Sequence, residues 1–196
     1  EIHEGIRMPE TIRSFIAFDI DSQQVLERIT NAQNLLIKTK ADLKLVEPKN
    51  IHITLRFLGN INQNTVEKIF EEMKKVQFTS FNVKINGLGA FPKLQYPRVV
   101  WAGITEGADQ LQNIFNQLEP RLQSLGFPPD PKGFSPHLTI ARVKSGRNKA
   151  ELAIYINENK NYEFGTIKAE CLRLKKSDLT PKGPIYSTLK EHCPQK

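Results

Sequence analysis

Ile51-His52-Ile53-Thr54-Leu55-Arg56-Phe57 and Pro136-His137-Leu138-Thr139-Ile140-Ala141-Arg142 are two renderings of one pattern: a His, any residue, a Thr and an aliphatic. Each sits in a run that alternates apolar and polar, the pattern of a half-buried strand. Side chains at i and i+2 of a strand leave the same face. His52, Thr54 and Arg56 are therefore expected on one face, and Ile51, Ile53, Leu55 and Phe57 on the other. In the second copy His137 and Thr139 share a face, backed by Pro136, Leu138 and Ile140. A lone histidine on a strand is usually structural, but the recurrence of the whole pattern points to a duplicated unit.

Outward from these strands, the rest of the chain also reads twice. Ser14–Ile20 is expected to be a strand, followed by a helix capped at Asp21-Ser22 with Val25, Ile29, Ala32 and Leu36 on one stripe. After the first His strand, Asn62 or Asn64 opens a helix bearing Val66, Ile69, Phe70 and Met73. Strands near 81–88 and 98–104 follow, separated by a loop carrying Gly87, Gly89, Pro92 and Pro97. The second half continues with a helix carrying Leu111, Ile114, Phe115, Leu118, Leu122 and Leu125, which Pro120 should kink or divide. The Pro-rich loop 126–133 leads into the second His strand. A helix near 148–157 and strands near 166–174 and 186–190 complete the pattern.

No linker separates the halves, so they read as two lobes of a single α+β domain over residues 8–196. A pseudo-twofold arrangement would set the two His strands side by side across a cleft. Met8 precedes the first strand, and residues 1–7 are expected to be a cloning remnant or a disordered leader.

The 196 residues are 39% hydrophobic and 25% charged, which excludes a disordered tail, and no apolar run reaches membrane-spanning length. A net charge of +7 suits a polyanion such as RNA. Arg142, Lys144, Arg147 and Lys149 follow the second motif, and Arg56 belongs to the first. Cys171 and Cys193 have no metal-ligand spacing and read as reduced thiols of a cytoplasmic protein. His3 and His192 lie near the termini, away from other ligands, so no metal and no cofactor are expected.

Two imidazoles suit acid/base chemistry, because histidine titrates near neutrality and one copy can be charged while the other is neutral. Phosphodiester cleavage needs such a pair, one group taking a proton from the attacking oxygen and the other giving one to the leaving oxygen. The hydroxyls of Thr54 and Thr139 can donate to the non-bridging oxygens, where charge grows.

At these residues the chain resembles the two-histidine phosphoesterases, in particular their RNA 2′,3′-cyclic phosphodiesterase branch, also called 2′-5′ RNA ligase-like. The resemblance rests on four segments in order: Arg13-Ser14-Phe15-Ile16-Ala17-Phe18, Pro48 to Gly59 around the first motif, Phe91-Pro92 with Arg98-Val99-Val100-Trp101, and Phe134 to Arg142 around the second. It implies a bilobal fold of two antiparallel sheets lining a central cleft, with helices outside. It further implies His52 as proton donor, His137 as proton acceptor, and Thr54 and Thr139 on the phosphate. Arg142 is implied as a substrate contact although simple alternation puts it on the back face; a bulge or strand end at Ala141 would reconcile the two. Arg56 is expected at the substrate, and Phe15 as a stacking surface for a base.

The implied substrate is RNA with 2′,3′-cyclic phosphate ends, tRNA fragments among them, opened to 2′-phosphomonoesters by a monomer that needs no metal. The alternatives are 2′-5′ ligation by the reverse reaction and a non-catalytic RNA- or nucleotide-binding module. Leu45 stands where the family commonly has Trp, and Lys49 where it has Glu, so contacts at the cleft mouth are expected to differ.

Overall fold

Ser14, Phe15, Ile16, Ala17 and Phe18 are all buried, whichever way their side chains point. A strand covered on both faces lies inside its sheet, and β1 (Ile12–Asp19) is such a strand. In the computed structural model, which describes residues 10–194, β1 pairs with β3 (His52–Ile61) on one side and β8 (Leu172–Thr180) on the other. With β9 (Gly183–His192) they form sheet A, in the order β3-β1-β8-β9. Sheet B has the order β2-β6-β5-β4-β7, from β2 (Leu43–Leu45), β4 (Phe81–Lys93), β5 (Tyr96–Glu106), β6 (His137–Val143) and β7 (Glu163–Ala169). All the pairings are antiparallel. The expected leader at 1–7, and His3 within it, lie outside the described residues.

The fold class is the one read from the sequence: α+β, two antiparallel sheets facing a cleft with helices behind them. The halves, however, interleave. β4 crosses from the first half into sheet B, and β8 and β9 return to sheet A. The strand expected at 166–174 is two strands, β7 and β8, that belong to different sheets. Each sheet keeps the same logic, with an opening strand at its centre flanked by its His strand: β1 beside β3, and β5 beside β6. β3 and β6 approach within 8 Å without pairing, which brings the two His strands side by side.

The helices follow from their stripes. α1 (Gln23–Lys38) starts at Ser22, whose hydroxyl accepts from the Val25 amide. It buries Val25, Ile29, Ala32 and Leu36 against β7 and β6. Gln33, also buried, donates to the carbonyls of Val46 (2.7 Å) and Ile140 (2.9 Å). α2 (Gln63–Met73) is capped by Asn62, which accepts from the Thr65 amide. α3 (Ala108–Ser124) runs through Pro120 without dividing, and α4 (Lys149–Glu158) lies behind β4 and β5.

Three further sequence readings are overturned here. The segment expected as a loop around Gly87, Gly89, Pro92 and Pro97 is mostly strand, because β4 and β5 form one long bulged hairpin. Cys171 and Cys193 are joined in a disulfide across the open end of the β8–β9 hairpin, next to the Leu172–His192 pair. Their separation in sequence hid this pairing, and the two cysteines no longer point to a reducing compartment. Cys171, Glu191 and Cys193 also form a group of metal-ligand type, but its two sulfurs are bonded to each other. No helix among the described residues is long and apolar enough to cross a membrane.

The third reading concerns Arg56. Strand β3 carries an unpaired residue at Leu55, between the Ala17–Thr54 and Ile16–Arg56 pairs, and another at Leu58. Each inserted residue reverses the alternation beyond it. Arg56 therefore shares the helix-covered side with Ile16, is 7% exposed, and pairs with Glu119 of α3. It also donates to the carbonyls of Phe57 and Pro128, which pins the loop leading to β6. Arg56 is thus a buried strut and not a substrate contact. Arg56→Ala leaves the largely covered Glu119 carboxylate with the Gln123 amide in place of a charged partner, and is expected to cost about 2–4 kcal/mol of stability. Urea denaturation of the two proteins measures it; a loss below about 1 kcal/mol would return Arg56 to the solvent-facing role.

Candidate active site

Each motif histidine is held by the carbonyl two residues before it. His52 Nδ1 lies 2.7 Å from the Asn50 oxygen, and His137 Nδ1 lies 2.6 Å from the Ser135 oxygen. A carbonyl only accepts, so Nδ1 carries the hydrogen in both rings and Nε2 is left for other partners. Local sequence makes both carbonyls available. Asn50 ends a 3₁₀ turn, Pro48–Asn50, whose Asn50 side chain donates to the Pro184 carbonyl of β9. Ser135 precedes Pro136, which biases it towards extended backbone.

The register shows which residues share the cleft face of sheet A. His52, Thr54 and Phe57 stand opposite Asp19, Ala17 and Phe15. The small Ala17 leaves room for His52 to lean over β1. Its ring packs 4.8 Å from Phe15 and 5.3 Å from Tyr186, centroid to centroid. Phe15 is only 3% exposed, with Tyr186 at 5.0 Å and Phe57 at 6.1 Å. It backs the histidine and offers no open ring for a base, which corrects the sequence reading. The exposed aromatic is Phe57, 62% accessible, carried onto this face by the bulge that turned Arg56 inward.

On sheet B, His137 and Thr139 stand opposite Gly103 and Trp101. Trp101 occupies space that only glycine leaves free, since a Cβ at Gly89 would sit 2.1 Å from its ring. Phe91 contacts both Trp101 (5.4 Å) and His137 (5.0 Å, edge to face). Ile140 is an unpaired residue between the Trp101–Thr139 and Val100–Ala141 pairs. This bulge, one residue before the position expected, places Arg142 opposite Val99 and so on the face of Trp101 and Thr139. The six residues His52, Thr54, His137, Thr139, Arg142 and Phe57 thus face the cleft, while Arg56 and Phe15 support it from within.

Electrostatics separate the two imidazoles. Burial pushes His52 below the ordinary imidazole value, while its bond to Asn50 and the charge of Asp19 pull it upward; Lys175 and Arg142 act downward. Burial also lowers His137, opposed by its bond to Ser135, and no charged group contributes there. Arg142 of sheet B acts on both His52 and Tyr186 of sheet A, so the charge bridges the lobes. Tyr186 is raised by burial, which keeps its phenol a neutral hydrogen-bond donor.

Asp19, Lys175 and Tyr186 were not singled out in the sequence. Asp19 was within reach, because counting alternate residues from Phe15 puts it on the same face. Tyr186 and Lys175 depended on the final hairpin returning to sheet A, which no local pattern announces.

Comparison with known proteins adds a family. The model of the AKAP7 2′5′ RNA ligase-like domain matches residues 14–192. A relative from Aeropyrum pernix, named RNA 2′,3′-cyclic phosphodiesterase, is 40% identical over 84% of this chain and 93% of its own. One of the same name from Archaeoglobus fulgidus is 38% identical over 91% of this chain and 98% of its own. Among solved structures, a Thermus thermophilus protein superposes with a TM-score of 0.76 at 25% identity, covering 93% of this chain and 97% of that one. E. coli LigT, in complex with 3′-AMP, gives 0.76 at 20% identity over 95% of this chain and 100% of that one.

The charge asymmetry has a direct readout. Asp19→Asn removes the acidic neighbour of His52 among the described residues and leaves Lys175 unbalanced, and both changes disfavour the imidazolium. NMR titration of the ring protons is expected to show His52 titrating lower than in the unaltered protein, with His137 unmoved. An unchanged His52 would mean that Asp19 does not set its charge.

Proposed function

The chain belongs to the AKAP7 2′5′ RNA ligase-like family of two-histidine phosphoesterases, and from that membership we propose that it hydrolyses RNA 2′,3′-cyclic phosphate ends to 2′-phosphomonoesters. The observation that carries the reading is the pair of imidazoles on facing sheets, each with Nδ1 tied to a carbonyl. Each thereby has Nε2 for the reaction, beside a threonine hydroxyl.

In this scheme a water oxygen attacks phosphorus while His137 Nε2 takes its proton. The bond from phosphorus to O3′ breaks, and His52 Nε2 delivers a proton to that oxygen, leaving a 2′-phosphate and a free 3′-hydroxyl. Thr54 and Thr139 donate to the non-bridging oxygens, and Arg142 balances the charge that develops there. The acid role goes to His52 on the family resemblance; Asp19 favours its charged form, against burial, Lys175 and Arg142. The relatives' names support the substrate class. RNA fragments, those of tRNA included, are the substrates inferred, processed by a single copy of the chain. If a 5′-hydroxyl takes the place of water, the same groups in the same roles open the ring and form a 2′-5′ linkage; in dilute solution water wins.

His52→Ala and His137→Ala are each expected to lower kcat on a cyclic-phosphate oligonucleotide by about 10²–10⁴ with folding retained. A chelator should leave the rate unchanged. Phosphorus NMR of the product should give a 2′-phosphomonoester alone. Full activity in either variant, or a 3′-phosphate product, would refute the scheme.

The pH dependence follows from the burial of both rings. Both histidines lie below the ordinary 6.5, so the state with one protonated and one neutral is most populated on the acid side of that value. The profile of kcat/KM is expected to be a bell centred there. Bound phosphate stabilises imidazolium, so the kcat profile should sit at higher pH. A kcat/KM maximum on the alkaline side of neutrality would contradict this.

A further inference from the structure

The two lobes spend their cations differently. On the cleft face of sheet A, Lys175 binds Asp19 (3.0 Å), and Arg173 binds Asp19 (3.4 Å) and Glu191 (3.2 Å). Lys176 and Lys190 of the same sheet also have carboxylate partners, Asp178 and Glu67. On sheet B the cross-strand row beyond Thr139 is Lys44–Arg142–Val99–Phe91. Its Phe91 ring touches His137, so the row is continuous with the candidate site. Lys44 and Arg142 are exposed, and among the described residues neither has an ion-pair partner.

The β4–β5 hairpin closes at the same end of the sheet on the pair Lys93 and Tyr96. Lys93 is exposed and likewise has no ion-pair partner among the described residues. Tyr96 is 67% accessible, with the Lys149 ammonium 4.6 Å from its ring centre. Free cations beside an exposed aromatic ring are what single-stranded nucleic acid needs: charge for the backbone and a face on which a base can stack.

We propose that this end of sheet B, from Arg142 to Lys44 and out to Lys93 and Tyr96, seats the single-stranded RNA that precedes the reacting phosphate. The proposal rests on the hydrolase reading for its polarity. A 2′,3′-cyclic phosphate is a 3′ terminus, so the remaining chain can leave the cleft only in the 5′ direction. It leaves over sheet B, where the unpaired Arg142, Lys44 and Lys93 are in line with the site, whereas on sheet A Arg173 and Lys175 are neutralised and Arg13 stands alone. Phosphodiesters lie along Lys44 and Lys93, and one base stacks on Tyr96. The enzyme therefore prefers an oligonucleotide to a mononucleotide, and that preference belongs to residues remote from the histidines.

The test compares an octanucleotide ending in a 2′,3′-cyclic phosphate with a nucleoside 2′,3′-cyclic phosphate. Lys44→Ala and Tyr96→Ala are each expected to lower kcat/KM about tenfold on the octamer and to leave the mononucleotide unaffected. The salt dependence of KM for the octamer should flatten in Lys44→Ala, by roughly one lost phosphate contact. Arg13→Ala serves as the lobe A control, because Arg13 is exposed and has no ion-pair partner among the described residues. Equal losses on both substrates, or a loss in Arg13→Ala with none in Lys44→Ala, would overturn the proposal.

Fluorescence anisotropy with the same octamer bearing a 3′-phosphate measures the seat without turnover. Weaker binding in Lys44→Ala and Tyr96→Ala supports it, and unchanged binding refutes it. Failure of the hydrolase reading would appear separately, as no turnover of either substrate by the unaltered protein.

Discussion

A hydrogen bond from Nδ1 to the carbonyl two residues upstream, made once in each lobe, is the constraint on which the rest of this structure depends. Its net worth in stability is small, about 0.5–1.5 kcal/mol. Its consequence is not small, because it fixes the tautomer of both rings and commits Nε2 to the cleft. Much of the surrounding architecture holds those two carbonyls and two rings still. The 3₁₀ turn that presents the Asn50 oxygen is tied to β9 through Pro184. Ala17 gives His52 room to lie on Phe15, and Gly89 makes space for the Trp101 ring beside Phe91 and His137. The two lobes meet the same requirement with different packing, aromatic rings on both sides but a carboxylate on one.

Pleat parity is the second determinant, and it explains where the sequence was legible. His52 with Thr54, and His137 with Thr139, were placed correctly by counting in twos, since each pair lies on an uninterrupted stretch. Arg56 and Arg142 come after a bulge, and both change sides. Leu55 is the unpaired residue that sends Arg56 into the helix layer, where it meets Glu119 and the Pro128 carbonyl. Ile140 is the one that brings Arg142 out to the cleft. A bulge follows from how a strand's neighbours pair, not from its own residues, so alternation alone misplaced both arginines. The family resemblance placed Arg142 with its site, and nothing in the sequence marked Arg56 as internal.

Stripes of apolar residues located the helices to within a few positions, because a 3.6-residue period over eleven to seventeen residues leaves little ambiguity. The exchange of strands between lobes was not legible in the same way. β4 and the β8–β9 hairpin look like any other strands in sequence, and only their partners tell which sheet they join. Tyr186 reaches His52 through that exchange. The disulfide was hidden for the same reason: Cys171 and Cys193 become neighbours only when β8 and β9 pair in their observed register.

The exchange also gives the charge distribution a structural cause. The returning hairpin brings Arg173, Lys175 and Glu191 to the side of β1 away from the His strand, where they and Asp19 satisfy one another. Sheet B receives no such complement of acids along the Lys44–Arg142 row, because its edge there is the short β2, three residues with a single lysine between two leucines. A net charge of +7 says only that cations exceed acids. Along the row beside the site they stay free on sheet B because the topology delivered counter-charges to the other sheet, where Arg173 and Lys175 are paired and Arg13, at the start of β1, is not. A polyanion entering the cleft therefore meets an internally neutralised wall behind His52, and an open basic ledge beyond His137.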